Sequence, residues 1–158
     1  MIFRSWLLGG ASNTGAAILS RYFTPAMIEE LSRQIDPQVS TGVRLRPLLG
    51  RGERFPVDDP RLEPILEPRP VGDAAFLQAL LEGITAIEHQ GWQRFRELGA
   101  SPLQRVITLG GGARNSQWRL MRQRALGLPV GNRPNLSAAR GMARLAQGRM
   151  EAIAPQTA

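Results

Sequence analysis

The sequence predicts an α/β domain, and three observations carry that expectation. Two short apolar stretches, residues 2–8 and 106–109, each run into a cluster of glycines and then into a helical pattern. Between them lies the longest periodic stretch of the chain, residues 73–98. Strand, glycine turn and helix in alternation are the pattern of α/β folds, whose ligands gather outside the carboxyl ends of the strands. Both glycine turns would then stand on that edge.

In chain order, residues 2–8 read as a buried strand that enters Gly9, Gly10, Ala11, Ser12, Asn13, Thr14 and Gly15, followed by a helical run over 16–23. Thr24 and Pro25 suit the N-cap and first position of a helix reaching about Ile35, with Met27, Ile28, Leu31 and Ile35 on one face. Residues 36–70 hold seven prolines and read as a long irregular segment. Its acids, Glu53, Asp58, Asp59, Glu63 and Glu67, are expected in turn and capping roles rather than as a metal cluster. Asp73 opens the strongest helix, whose apolar stripe is Phe76, Leu77, Leu80, Leu81, Ile84 and Ile87, with Gly99 as its left-handed cap. His89, the only histidine, sits on this helix without an acid and nucleophile in a recognisable arrangement and is expected at the surface. After the second glycine turn a helix to about Leu126 presents Trp118, Met121 and Ala125 and closes at Gly127. Pro129 and Val130 begin a short extended piece, 136–147 a last amphipathic helix, and 149–158 a tail.

Composition bounds the function. At 158 residues the chain has the length of one domain, and 42% hydrophobic residues argue against wholesale disorder. With no cysteine, disulfides and thiolate chemistry are excluded. The opening apolar run is too short for a signal peptide and no stretch has the length of a membrane span, so a cytoplasmic protein is expected. The net charge of +7 rests on arginine alone, and residues 98–150 hold nine arginines and no acid. Such a field attracts nucleotides, nucleic acid or an acidic partner, unless it is simply a solvated basic face.

The stretch 106–118 is the centre of the reading. Val106, Ile107, Thr108 and Leu109 suit a buried strand, Gly110, Gly111 and Gly112 clear the turn of side chains, and Asn115 or Ser116 can cap the next helix. Free backbone N–H groups at a helix start, with the dipole behind them, cradle an anion or a nucleotide edge. Two familiar cradles are excluded: Asn115 stands where the dinucleotide fingerprint needs glycine, and the chain has no lysine for a Walker-type loop. Close strand-to-helix packing would also explain the glycines. Neither turn brings a nucleophile, a general base or a metal cage, so no catalytic or metal residue is expected.

Six ordered segments give a further lead: W-L-L-G-G-A-S-N-T-G from Trp6, G-E-R-F-P-V-D-D-P from Gly52, F-L-Q-A-L-L-E-G-I-T-A-I-E from Phe76, T-L-G-G-G-A-R-N-S-Q-W from Thr108, L-G-L-P-V from Leu126 and A-A-R-G-M-A-R-L-A from Ala138. Together they resemble the C-terminal half of the FGGY carbohydrate kinases, of the ribulokinase or xylulokinase type, over residues 1–148. The resemblance implies an incomplete ribonuclease H-like, actin-like ATPase domain and a cleft that takes ATP. It places Gly111 and Gly112 by backbone against the nucleotide, Asn115 and Trp118 beside the adenine, and Gly10, Ala11 and Thr14 near the phosphates and ribose. Trp118 also reads as a packed core aromatic, and Ser12 and Asn13 as caps of the following helix.

The sequence departs from that family as well. The Asp-x-Gly-Thr phosphate loop, the sugar contacts and the catalytic aspartate are not among these residues. Arg124 stands where an Asp is common, and Leu136 or Ser137 where an acid opens the last helix. The expectation is therefore the nucleotide-binding part of an ATP-dependent sugar kinase, inactive alone, with Mg2+ needed only in a complete kinase. Expected partners are ATP or ADP, a sugar once a complementary N-terminal domain is present, and either that kinase half or a second copy of the chain. The alternatives are one subunit of a split kinase and an arginine-rich module for nucleic acid or an acidic partner.

Overall fold

The computed structural model describes residues 8–133 together with Met142, Ala143, Ala146 and Gln147, which are helical. Residues 2–7 of the strand expected over 2–8 and most of the helix expected over 136–147 lie outside the described residues, and Leu8 is exposed and not in a strand. Within them, helix α1 spans Pro25–Arg33, α2 Asp73–Glu97 and α3 Ser116–Leu126, and strands β1, Val106–Thr108, and β2, Val130–Asn132, pair in parallel with Val106 opposite Val130. The β1–α3–β2 crossover is the α/β unit foreseen in the sequence. Two strands alone make a marginal sheet. Val106 and Val130 are buried, while Ile107 and Leu109 are about half exposed.

The core forms around α2. Phe76, Leu77, Leu80, Leu81, Ile84 and Ile87 are all buried, joined by Ile18, Leu19 and Phe23 from the N-terminal side and by Met121 and Trp118 from α3. Tyr22 meets Phe76 edge-on at 4.9 Å between ring centroids. Gly83 lies in mid-helix, where alanine would ordinarily be preferred by about 0.5–1 kcal/mol. Here a Cβ would stand 2.7 Å from both the Leu45 carbonyl oxygen and Pro47 Cδ. The usual sign should therefore reverse, and Gly83→Ala is expected to lose about 1–3 kcal/mol in urea unfolding because backbone blocks the new methyl.

Helix ends follow local chemistry. Thr24 Oγ1 accepts from the Met27 N–H at 3.3 Å, with Pro25 in the first position. Gly99 and Gly127 take positive φ, 87° and 66°, after α2 and α3. Three expectations need correction. Residues 16–23 give a 3-10 helix over Ala16–Arg21, since its N-cap Gly15 supplies no side-chain bond and only six residues are available. Met27 is exposed and Ser32 takes the inward position of α1, because Ser32 Oγ accepts a hydrogen bond from Asn115 Nδ2 at 2.8 Å. On α3, Arg122 rather than Ala125 is buried.

Residues 34–72 contain no helix or extended strand and hold together through isolated antiparallel bridges, Thr14 with Leu48, Arg46 with Ile65 and Glu53 with Asp59. Arg124 helps anchor this segment. Its guanidinium donates to the Pro37 carbonyl at 2.6 Å and lies 3.6 Å from Glu82, whose carboxylate also accepts from Thr41 Oγ1 at 2.6 Å.

Candidate functional site

The second glycine turn stands at the carboxyl end of β1. Gly110 takes φ 77°, a left-handed conformation that favours glycine, and Gly111–Arg114 then form a 3-10 turn. Asn115 ends that turn and caps α3: its Oδ1 accepts from the Trp118 N–H at 2.9 Å. Its Nδ2, bonded to Ser32, fixes the start of α3 against the end of α1. The three glycines have different reasons. A Cβ on Gly112 would lie 2.6 Å from Trp118 Cζ3, so close packing requires that glycine. A Cβ on Gly111 would meet nothing within 4 Å, and its φ is not positive. Neither packing nor backbone conformation within the described residues demands glycine at 111.

The first glycine turn is held by a buried carboxylate. Glu53 accepts from Ser12 Oγ at 2.6 Å, from the Asn13 N–H at 2.6 Å and from the Arg54 N–H at 2.8 Å. Ser12 Oγ in turn accepts from the Thr14 N–H, and Thr14 Oγ1 donates to the Pro47 carbonyl. Ser12 and Asn13 therefore do not cap the following helix, as the alternative sequence reading had it; they fasten the turn to 52–54. Phe55 lies over Gly10, where a Cβ would stand 2.6 Å from its ring, and stacks on Phe95 at 4.9 Å.

Both turns face one hollow. Gly10 and Thr14 from the first turn, and Gly112 and Trp118 from the second, line a cavity of about 440 Å³ shared with Phe55, Trp92, Phe95, Glu88 and Arg122. A neighbouring hollow of about 690 Å³ lies between α1 and α3, lined by Gly111, Gly112, Asn115 and Trp118 from the second turn and by Pro25, Ile28 and Ser32 from α1. Gly112 and Trp118 border both. The structure thus brings together Gly10, Thr14, Gly112 and Trp118, and separately Gly111, Asn115, Gly112 and Trp118. Ala11 is exposed and lines neither hollow.

Trp118 is 8% exposed, and its indole Nε1 donates to Thr85 Oγ1 at 2.9 Å, while Thr85 donates to the Leu81 carbonyl at 2.8 Å. Beside it, Arg122 grips Glu88 with two hydrogen bonds of 2.6 Å and donates to Thr108 Oγ1. The guanidinium lies 5.5 Å from the Trp118 ring centroid. One buried cluster therefore joins α2, α3 and the end of β1 beneath the second turn. Sequence reasoning missed Thr85, Glu88, Arg122 and Ser32, and it gave Glu53 a turn role without its distant partners Ser12 and Asn13. The available signal was a charge on an apolar stripe: Glu88 follows Ile84 by four residues on α2, and Arg122 follows Trp118 by four on α3.

His89 is exposed, and among the described residues no group of three or more His, Cys, Asp or Glu could hold a metal ion. Nor is any described helix long and apolar enough to cross a membrane.

Residues 6–148 match the model for the FGGY family of carbohydrate kinases, C-terminal domain. Over 46 residues the chain is 46% identical to the xylulose kinase of Bacillus subtilis (strain 168), a match covering 29% of this chain and 9% of that protein.

Proposed function

The chain belongs to the FGGY family of carbohydrate kinases through that family's C-terminal domain, and on that premise we propose that it supplies the adenosine-binding wall of an ATP-dependent sugar kinase. The observation that carries the proposal is Gly111, whose open side stands on a hollow of about 690 Å³ at the start of α3. That volume falls within the roughly 300–1,000 Å³ usual for small-molecule pockets. The surroundings suit a nucleotide: backbone without a side chain, apolar Pro25 and Ile28 opposite, and polar Asn115 and Ser116 nearby. Gly112, Asn115 and Trp118 would bound the base, and Gly10 and Thr14 would face the ribose and phosphates from the first turn, whereas Ala11 lines neither hollow. A xylulose-like ketose is the proposed acceptor, by likeness to the relative named above.

Phosphoryl transfer needs positioned phosphates, metal-assisted charge neutralisation and a proton acceptor in line with the attacking hydroxyl. These 158 residues contain no Asp-x-Gly-Thr loop. Among the described residues no group of three or more His, Cys, Asp or Glu could hold a metal ion, so a magnesium ion would arrive with ATP, held mainly by its phosphates. The loop and the proton acceptor must be provided by further residues of a longer chain or by a separate polypeptide. A cytoplasmic location goes with this reading, since ATP is the expected nucleotide.

The 158-residue chain is expected to bind ADP and adenosine in calorimetry and to release no ADP from ATP when offered xylulose or ribulose. Sugar-dependent turnover by this chain, or the absence of any adenosine or ADP binding, would overturn the proposal. The arginine-rich stretch 98–150 favours a second reading, a polyanion-binding module, which predicts nucleic-acid binding that falls steeply with salt and ignores sequence.

A further inference from the structure

We infer that the hollow of about 830 Å³ between α2 and residues 40–65 is a second ligand site, which takes a small carboxylate with an apolar body, such as a medium-chain fatty acid. It lies away from the glycine turns. Glu82, Ala86, His89 and Gln90 line it at helical spacing, on the side of α2 opposite Ile84, Glu88, Gly91 and Phe95, which border the hollow shared by the two turns. It has no lining residue in common with the hollow at Gly111, so it stands or falls independently of the nucleotide reading. Its volume is within the roughly 300–1,000 Å³ usual for small-molecule pockets and far beyond what an inorganic ion fills.

The lining decides the chemistry. Val57, Ile65 and Ala86 are exposed and line the hollow, so folding leaves apolar surface there for a ligand to cover. Two arginines from one stretch of chain also line it. Arg44 is exposed and has no hydrogen-bond or ion-pair partner among the described residues. Arg46 is anchored by two backbone hydrogen bonds to Ile65, of 2.8 and 3.0 Å, and spends one guanidinium N–H on the Glu63 carbonyl at 3.1 Å. The other charged residues of the lining are committed elsewhere: Arg124 lies 3.6 Å from Glu82 and donates to Pro37, and Glu53 accepts from Ser12, Asn13 and Arg54. Arg44 and Arg46 therefore keep donors to spare, and the buried Glu53 carboxylate beside them opposes a multiply charged ligand more than a singly charged one. A single carboxylate matches the planar fork of a guanidinium, and an alkyl body would cover Val57, Ile65 and Ala86.

The test is calorimetric titration of the 158-residue chain with octanoate, below its micellar concentration, beside octanol and acetate. One octanoate per chain is expected, bound at least about tenfold more tightly than octanol, which lacks the charge, and than acetate, which lacks the body. Arg44→Gln should weaken octanoate about tenfold, the scale of one charge-assisted hydrogen-bonding pair, and leave octanol within about twofold. Its thermal midpoint should not move, because an exposed, unpartnered guanidinium has no contact of the fold to lose. Ala86→Trp fills the hollow from an exposed position of α2 and should abolish octanoate binding. Should that variant lose stability, Arg44→Gln still decides the question. Octanoate that binds no more tightly than octanol or acetate, that binds in several copies per chain, or that binds Arg44→Gln as tightly as the native protein would overturn the inference. So would undiminished binding to folded Ala86→Trp, or a lowered midpoint of Arg44→Gln.

Discussion

Replacing Arg122 with methionine is expected to destabilise the protein by about 3 kcal/mol, toward the lower end of what breaking a buried ion pair costs. The variant leaves the Glu88 carboxylate without its bidentate partner and removes the donor to Thr108. The side chains of Arg122 and Glu88 are 8% and 20% exposed, so water can replace only part of what Glu88 loses. The pair spans three elements, and its loss should loosen α2, α3 and the end of β1 together. The double variant Arg122→Met with Glu88→Leu removes both charges and should recover most of the loss, since the cost lies in the orphaned charge more than in the missing attraction. Urea midpoints of the two singles and the double provide the comparison. Equal stability of native and Arg122→Met protein, or no recovery in the double, would show that the pair contributes little.

That cluster also marks where the sequence stopped being readable. Periodicity located α2 almost to the residue, because six apolar side chains recur at helical spacing from Phe76 to Ile87 and all of them are buried. Local chemistry located the caps: Thr24, Asn115, Gly99 and Gly127 act through atoms within three or four residues of themselves. Glu88 and Arg122 act across 34 residues, and Glu53 holds Ser12 from 41 away. A charged residue on an apolar face can be noticed in a sequence, but its partner is chosen by the packing of helices, which spacing along the chain does not encode. The same holds for Arg122 displacing Ala125 from the buried face of α3. A propensity count favours alanine; a paired carboxylate on α2 decides for arginine.

The glycine turns were legible as turns, and only coordinates separate their glycines. Gly110 answers to backbone conformation, Gly112 and Gly10 to aromatic rings packed on them, and Gly111 to neither. A run of three glycines reads as one motif, although its members are there on different grounds.

The second large effect follows from that difference. Gly111→Val is expected to lower the affinity for ADP and adenosine by more than about tenfold, or 1.4 kcal/mol of binding free energy, while leaving the thermal midpoint nearly unchanged. The valine methyls would enter the hollow where the nucleotide is proposed to lie, and the fold offers nothing within 4 Å for its Cβ to strike. Gly112→Ala should behave in the opposite way. Its Cβ would stand 2.6 Å from the Trp118 ring, which cannot swing aside without breaking its 2.9 Å hydrogen bond to Thr85. Overpacking of this kind costs about 1–3 kcal/mol of stability. Because Gly112 and Trp118 border both hollows, any loss of binding in Gly112→Ala should track loss of folded protein. In Gly111→Val the two quantities should separate, and thermal midpoints beside calorimetric titrations of the two variants measure this directly. If Gly111→Val instead unfolds the chain, or binds nucleotide as tightly as the native protein, the open side of Gly111 is not where the ligand approaches.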